Sequence, residues 1–499
     1  MKNVRTRFAP SPTGYLHVGS LKTALFVYLL AKSMDGKAIL RIEDTDQKRK
    51  VEGAVEKLIE ILDWVGISFD EGPGLGGDYG PYIQTQRLEI YKNHIDELLA
   101  KKKAYYCFCT PERLDKMRAE QQKMKLPPRY DRKCRDLSQA EIEKKLKNQE
   151  KYVIRQKMPL TGIIKVYDEL RGEIKFNAKE LEDHVLLKSN GVPTYHLASV
   201  VDDRLMEISH VVRGEEWIPS LPKNILLYQA FNWTPPKFIH MPLTLNKGGG
   251  KLSKRQGDVA VEDYKTKGYL PEAIINFSVL LGWSPYGKIS DDKKSGDKFS
   301  EIFSLKELEK AFNYKKIGTS GAVFDIEKLD YINGYYIRKK PLDELVDLCM
   351  PFLKKNLKKT TDKKRQTGKY IKKVVAIEQE RLKILSEIGE LTEFFFSDKL
   401  EYSQDLLLWK KMELKSVKSN LEKIIELLEK IPEQNWTNDS IEDSIYTYLK
   451  AKELKVGEYL WPMRVALTGR KASPGPYDVA EILGKSECLR RIKNAIDLI

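Results

Sequence analysis

His17, Gly19 and Ser20 stand where a proline-broken loop, Phe8-Ala-Pro-Ser-Pro-Thr-Gly14, gives way to an apolar helical run. The first turn of a helix leaves backbone N–H groups unpaired, and the aligned peptide dipoles put partial positive charge there. Such an end attracts phosphate. Gly19 lacks a Cβ and lets a ligand approach the backbone. Ser20 is placed to cap the helix or to donate to a phosphate oxygen, and His17 to donate to an oxyanion at neutral pH. Pro10 and Pro12 stiffen the approach. A second stretch, GGGKLSKRQGD at 248–258, carries Lys251, Ser253 and Lys254 in a glycine-rich loop, as movable cations for a polyphosphate. It is not a P-loop, because Gly250-Lys251 is followed by Leu252 rather than Ser or Thr. GPGLGG at 72–77 has the spacing of a dinucleotide fingerprint but follows a helical segment and opens none. A third group is Cys107-Phe-Cys109 with Cys134 some two dozen residues on. Three thiolates and a fourth ligand hold structural Zn²⁺; three free buried thiols are the alternative.

These groups need elements to hold them. VRTRFAP reads as a strand ending in the first loop, and Leu21, Ala24, Leu25, Tyr28 and Leu29 recur at helical spacing as one buried stripe. GKAILRIEDTD is a second strand and AVEKLIEILDWVGI a second amphipathic helix. Strand, helix, strand, helix predicts an α/β fold with a parallel sheet. From about 87 to 196 the texture changes to the cysteine group, a lysine-rich helix AEIEKKLKN, and strands YVIRQKM and IIKVYDEL, an α+β insertion. VPTYHLASVVDDRLMEISHVVRGEEW resumes the alternation. Past about 330 only helical periods remain, as in NLEKIIELLEKI and DVAEILG. The lysine-rich 351–373 stretch reads as a solvated face or a loop between helices.

Composition narrows the partners. Among 499 residues Lys+Arg outnumber Asp+Glu by 87 to 72, a net charge of +15, which favours a polyanionic partner, most often nucleic acid. The five cysteines do not form a secreted disulfide framework. MKNVRTRFAPSP has no apolar signal core, and no run reaches the roughly 18 apolar residues that span a bilayer. A cytoplasmic protein with no membrane association is expected.

HVGS and KLSKR resemble the HIGH and KMSKS signatures of class I aminoacyl-tRNA synthetases, in the right order along the chain. With FAPSPTGYLHVGSLKTAL, RIEDTD, PTYHLASVVDD, VVRGEEW, FDIEKLDYINGYYI and ALTG, nearly the whole chain resembles the bacterial-type glutamyl-tRNA synthetase family. That resemblance implies a Rossmann-like catalytic domain at 1–86 and 197–246 and an acceptor-end-binding insertion at 87–196. It further implies a connecting, stem-contact domain with the KMSKS loop at 247–330 and all-α anticodon-binding domains at 331–499. It implies ATP, Mg²⁺ and L-glutamate as reactants, tRNA(Glu) as acceptor, and a monomer. His17, Lys251 and Lys254 would act in catalysis, with Gly19, Ser20, Glu216, Trp217, Leu243 and Ser253 also around ATP; His240 and Leu245 would complete the adenosine wall. Arg7, Ala9, Ser11, Glu43, Tyr195, His196 and Arg213 would form the glutamate pocket, Arg213 taking the γ-carboxylate and Glu43 the ammonium; from the residues alone, an ion pair of Glu43 with Arg41 or another base is the alternative. Tyr130 and Asp136 are the alternative fourth zinc ligands beside Cys107, Cys109 and Cys134. Arg381, Arg464 and Thr468 would read the anticodon. The rivals are an enzyme that also charges tRNA(Gln), the glutaminyl enzyme, a shortened tRNA-modifying homologue, and a catalytically dead RNA-binding module. A helical C-terminal third disfavours the glutaminyl enzyme, 499 residues disfavour the shortened one, and intact HVGS and KLSKR disfavour the dead module.

Overall fold

The computed structural model describes residues 4–46, 49, 51–250, 252, 260–286 and 301–499. They form two compact units: Met1–Lys265 with Pro271–Ile326, and Thr266–Leu270 with Glu327–Ile499.

In the first unit the chain runs through β1 (Arg5–Phe8), α1 (Val18–Lys32), β2 (Lys37–Leu40) and α2 (Ala54–Trp64). The segment after it holds α3 (Leu88–Ala100), β3 (Ala104–Cys107), α4 (Pro111–Lys123), α5 (Gln139–Lys147), β4 (Val153–Gln156), β5 (Ile163–Asp168), β6 (Gly172–Asn177) and β7 (Val185–Leu187). Then come α6 (Tyr195–Leu205), β8 (His210–Gly214), α7 (Leu221–Phe231), β9 (Lys237–Met241) and β10 (Thr244–Leu245). The chain continues through α8 (Val261–Lys267), α9 (Pro271–Leu280), α10 (Leu305–Ala311) and β11 (Ala322–Val323).

Four parallel strands form the central sheet in the order β2–β1–β8–β9. The chain leaves β1 toward β2 on one side and returns at β8 on the other. The carboxyl ends of β1 and β8 therefore flank a topological switch point, where open α/β sheets bind ligands. Helix α1 is the crossover from β1 to β2. It is buried on more than the single stripe its spacing predicts: Val18, Leu21, Lys22 and all of Ala24 to Ala31 are covered. The reason is layering, since α1 packs on β1, β2 and β8 and also against α9 and α10. GPGLGG forms a turn, with Gly76 N–H donating to Gly72 O, and opens no helix.

Within 87–196, β3, β4 and β7 make an antiparallel sheet and β5–β6 a hairpin. This segment shares its core with the parallel sheet: Tyr91, Ile95, Leu98, Ile154 and Ile164 join one apolar cluster with Ile39, Val201, Val211 and Phe238.

The second unit is helical. It contains α11 (Ile326–Lys339), α12 (Leu342–Leu357), α13 (Gly368–Glu378), α14 (Glu387–Leu391), α15 (Glu393–Phe396), α16 (Leu414–Glu429), α17 (Asn438–Ala451), α18 (Val456–Thr468), α19 (Pro476–Leu483) and α20 (Lys485–Asp497). Val417, Leu421, Ile424 and Leu428 form the buried stripe of α16, which packs on α18 and α20. The lysine-rich stretch is the end of α12, a loop and the start of α13; Arg365 within it is buried and pairs with Glu487 at 2.9 Å. Among the described residues no helix is long and apolar enough to cross a membrane.

Candidate active site

A cleft of about 900 Å³ opens at the carboxyl ends of β1 and β8. Its phosphate-binding candidate is the mouth of α1. Sequence places Ser20 as a possible cap, but the cap is His17: its backbone is extended (φ −72°, ψ 143°) and its Nδ1 accepts the Gly19 N–H at 2.9 Å. A ring whose Nδ1 accepts carries its neutral-form proton on Nε2. Gly19 N–H is thereby spent on the cap, so the pull on an anion comes from the helix dipole and the imidazole rather than from that amide. A Cβ on Gly19 would lie 3.3 Å from His17 Nδ1 and crowd the ring. His17, Gly19 and Ser20 all line the cleft.

The second phosphate candidate cannot be placed atom by atom, since Lys251, Ser253 and Lys254 lie outside the described residues. Its flanks meet the α1 mouth. Leu252 lines the same cleft, and its N–H donates to Thr244 O at 3.1 Å. Ala260 bridges to His17, and Val261 N–H donates to Leu16 O at 2.9 Å.

Deeper in the cleft, Arg213 at the end of β8 is held from three sides. Its Nε donates to His240 Nε2 at 3.0 Å, Nη1 to the Tyr195 hydroxyl at 3.2 Å, and Nη2 to Asn224 Oδ1 at 3.3 Å. His240 is held in turn by Asp168, which accepts from its ring Nδ1–H at 2.8 Å and from its backbone N–H at 3.0 Å. That bond fixes the tautomer with Nε2 as acceptor, and burial lowers the His240 pKa, keeping the ring neutral against the guanidinium. A guanidinium has five N–H donors; three are committed, leaving one on each terminal nitrogen. Two parallel donors are the fork that takes a carboxylate at two points.

Arg7 of β1 lines the cleft from the other side, its Nε donating to Asp203 Oδ1 at 2.9 Å. Arg41 donates to the same oxygen at 2.8 Å and to Glu43 Oε1 at 3.0 Å, with its side chain fully buried. Burial raises the Glu43 pKa to about 6, against the pull of Arg41 and Arg7, so it is mostly ionised at neutral pH. Glu43 thus pairs with Arg41 and also lines the cleft, with Ala9, Ser11 and Tyr195 beside it. Trp217 packs on the Tyr195 ring at 4.4 Å, and Glu216 and Leu243 complete that wall. A Cβ on Gly214 would fall 2.0 Å from Glu216 Oε2, so a side chain there would push that carboxylate aside.

Three expected residues are not among those that line the cleft. His196 is half-buried and packs edge-on against His184, ring centroids 4.9 Å apart. His240 is fully buried behind Arg213 and forms no adenosine wall. Leu245 is in β10, paired with Val323 of β11, and is not among the cleft residues. The Glu43–Arg41 ion pair that the sequence offered as the alternative role of Glu43 is present, while sequence reading missed Asn224, Asp168 and Asp203, which orient Arg213 and Arg7. The signal for Asp203 was the pair Asp202-Asp203 inside an apolar run.

Cys107 closes β3, and Cys109 and Cys134 join it, all three sulfurs lying within 4.8 Å of one another. The Cys109–Cys134 Sγ distance of 3.6 Å is that of two ligands on one tetrahedral zinc, for which bonds of about 2.3 Å give about 3.8 Å. The Tyr130 hydroxyl is 3.2 Å from Cys107 Sγ and 3.6 Å from Cys109 Sγ. Hydrogen bonds from Cys134 and then Tyr130 outweigh burial and hold the Cys107 thiol at about 4, ready as a thiolate. The Asp136 side chain is exposed, 3.6 Å from Lys157, and does not belong to the cluster of sulfurs.

In the helical unit, Arg381 is half-buried and donates from Nη1 to both oxygens of the buried Glu378, at 3.2 and 2.9 Å. Arg464 donates from Nη1 to Ser473 O at 2.6 Å and to Pro474 O at 3.0 Å. Thr468 is 2% exposed and its hydroxyl donates to Arg464 O, one turn back in α18.

A histidine-capped helix after the first strand, at the switch point of a parallel sheet with an arginine fork in the same cleft, defines a class I tRNA synthetase catalytic domain. Residues 3–331 match tRNA synthetases class I (E and Q), catalytic domain, and residues 344–496 match an anticodon binding domain. A glutamate–tRNA ligase of Clostridium botulinum is 46% identical over 99% of this chain and 98% of its own length, and that of Chlorobaculum parvum 44% identical over 100% and 98%. The crystal structure of a glutamate tRNA ligase from Elizabethkingia meningosepticum, in complex with its amino acid, superposes with a TM-score of 0.87 at 35% identity, covering 99% of each chain. The chain belongs to the glutamate–tRNA ligase family.

Proposed function

We propose that the chain joins L-glutamate to ATP and passes the glutamyl group to the 3′-terminal adenosine of tRNA(Glu). The α-carboxylate oxygen of glutamate forms a bond to the α-phosphorus, the bond to the bridging β-oxygen breaks, and pyrophosphate leaves. The ribose hydroxyl then displaces AMP from the adenylate. The observation that carries this reading is Arg213, fixed by His240, Tyr195 and Asn224 with one N–H left on each terminal nitrogen. The protein's work is alignment and charge stabilisation. Arg213 and Arg7 take carboxylates, Glu43 takes the ammonium, and His17 with the α1 dipole takes phosphate oxygens. Glu216, Trp217 and Leu243 flank the adenosine, and Lys251, Ser253 and Lys254 would meet the departing pyrophosphate. Synthetases of this class act with ATP and Mg²⁺; the ion enters on the phosphates and water. Arg381 and Arg464 are the anticodon readers of this proposal, and an arginine at 381 favours selection of tRNA(Glu) over tRNA(Gln). The charge of +15 suits a tRNA partner, and the chain is proposed to act as a cytoplasmic monomer. Purified protein should form glutamyl-tRNA from tRNA(Glu), glutamate and ATP, and charge a tRNA(Gln) transcript far more slowly. No acylation of either tRNA would reject the proposal; equal rates would reject the selectivity.

Cys107, Cys109, Cys134 and the Tyr130 hydroxyl fit a structural zinc, whose part would be to clamp the end of β3 to the 130–134 turn. Elemental analysis of protein purified without chelator should give about one zinc per chain, falling to about zero in Cys134→Ser. A zinc-free wild type would mean three free thiols.

A further inference from the structure

Lys22 lies one turn into α1 from the His17 cap, lines the cleft, and is only 2% exposed. Its Nζ donates to Pro242 O at 2.8 Å and lies 5.9 Å from the Phe26 ring centroid. Among the described residues no carboxylate pairs with it; Glu215 and Glu216 act on it only at longer range. An ammonium has three donors, and one is spent. Burying an unpaired ammonium is costly, and an apolar side chain of the same length would fill the space without that cost. The acceptor's position gives the reason. Pro242 precedes Leu243, whose N–H donates to Glu215 Oε1 at 3.0 Å, and Glu215 is itself paired with Arg171. Lys22 and Glu215 thus pin one turn from both sides, and that turn joins the proposed adenosine wall to the strand leading toward Lys251.

We infer that Lys22 is a further nucleotide-binding residue, its ammonium fixing the Pro242–Leu243 turn against α1 and turning its two remaining N–H groups to the anionic part of ATP. The inference rests on the adenylate-forming reading above. Burial pushes the Lys22 pKa down to about 8, Glu215 and Glu216 pulling it partly back. Those two carboxylates are the charged groups acting on it; the Pro242 segment meets it with a carbonyl, Gly282 with backbone, and Phe26 with a ring.

The test is ATP–pyrophosphate exchange by the full chain, with glutamate and tRNA present, for the wild type, Lys22→Met, Lys22→Gln and Lys22→Arg. Met and Gln should raise the ATP KM by about tenfold and leave the glutamate KM within about twofold, with Arg recovering most of the loss. In the wild type kcat/KM for ATP should fall as pH rises past about 8, and Lys22→Arg should move that limb upward. A wild-type ATP KM in Lys22→Gln overturns the inference. So does a parallel rise in both KM values that tracks a lower melting temperature, which would mean packing alone. Were the wild type itself to show no exchange, the ligase reading would fall. ATP affinity by calorimetry would then decide Lys22: about tenfold weaker binding in Lys22→Met supports it, and unchanged binding overturns it.

Discussion

In ATP–pyrophosphate exchange, Arg213→Lys is expected to raise the glutamate KM by about 100-fold or more while the ATP KM stays within about twofold. Charge is kept, so any loss reports geometry. The native guanidinium spends three N–H groups on His240, Tyr195 and Asn224 and keeps two, one on each terminal nitrogen, for a carboxylate. A lysine ammonium has three donors in all and no planar fork. It cannot satisfy His240 Nε2, Asn224 Oδ1 and the Tyr195 hydroxyl and still grip two carboxylate oxygens. Losing two charge-assisted bonds at about 1.5–3 kcal/mol each gives at least the factor quoted. A small rise in melting-curve asymmetry is no test; the KM split is. A wild-type glutamate KM in this variant would remove Arg213 from the substrate site.

The same residue shows what a sequence can and cannot disclose. Arg213 could be singled out because it closes the apolar strand run of VVRGEEW and matches a family motif. Its orienting chain, Asp168–His240–Arg213, could not, because Asp168 and His240 are 72 positions apart and meet only when β5 and β9 come together. Local order was readable where an apolar run or a helical period marked it: β1, α1, β2 and α16 stand where their patterns put them. Burial on a second face was not readable, which is why α1 seemed to carry one stripe. Motif spacing brought Cys107, Cys109 and Cys134 together, but the competition between Tyr130 and Asp136 depended on which way the 130–136 turn faces. Adjacent residues on a helix point about 100° apart, so Tyr195 and His196 face different neighbours, Trp217 and His184.

A buried ion-pair network carries the second expected result. Asp203 accepts from Arg7 at 2.9 Å and Arg41 at 2.8 Å, the latter guanidinium fully buried. Asp203→Ala is expected to destabilise the first unit by about 3–5 kcal/mol, because it strands buried guanidinium charge rather than because it removes a favourable pair. Asp203→Asn should cost less, since an amide oxygen still accepts one bond. The acid dependence gives a second readout. Burial alone would raise the Asp203 pKa, but Arg7 and Arg41 outweigh it and hold it below its ordinary value. A depressed carboxylate contributes stability above its unfolded pKa of about 3.9 and loses it as pH falls through the folded value. The gap between wild type and Asp203→Asn in urea midpoint should therefore be full at pH of about 6 and shrink as the solution is taken below about 4. A gap that persists unchanged into acid would mean that Asp203 acts through shape alone, with Glu43 and Asp202 as the counter-charges that keep Arg41 buried.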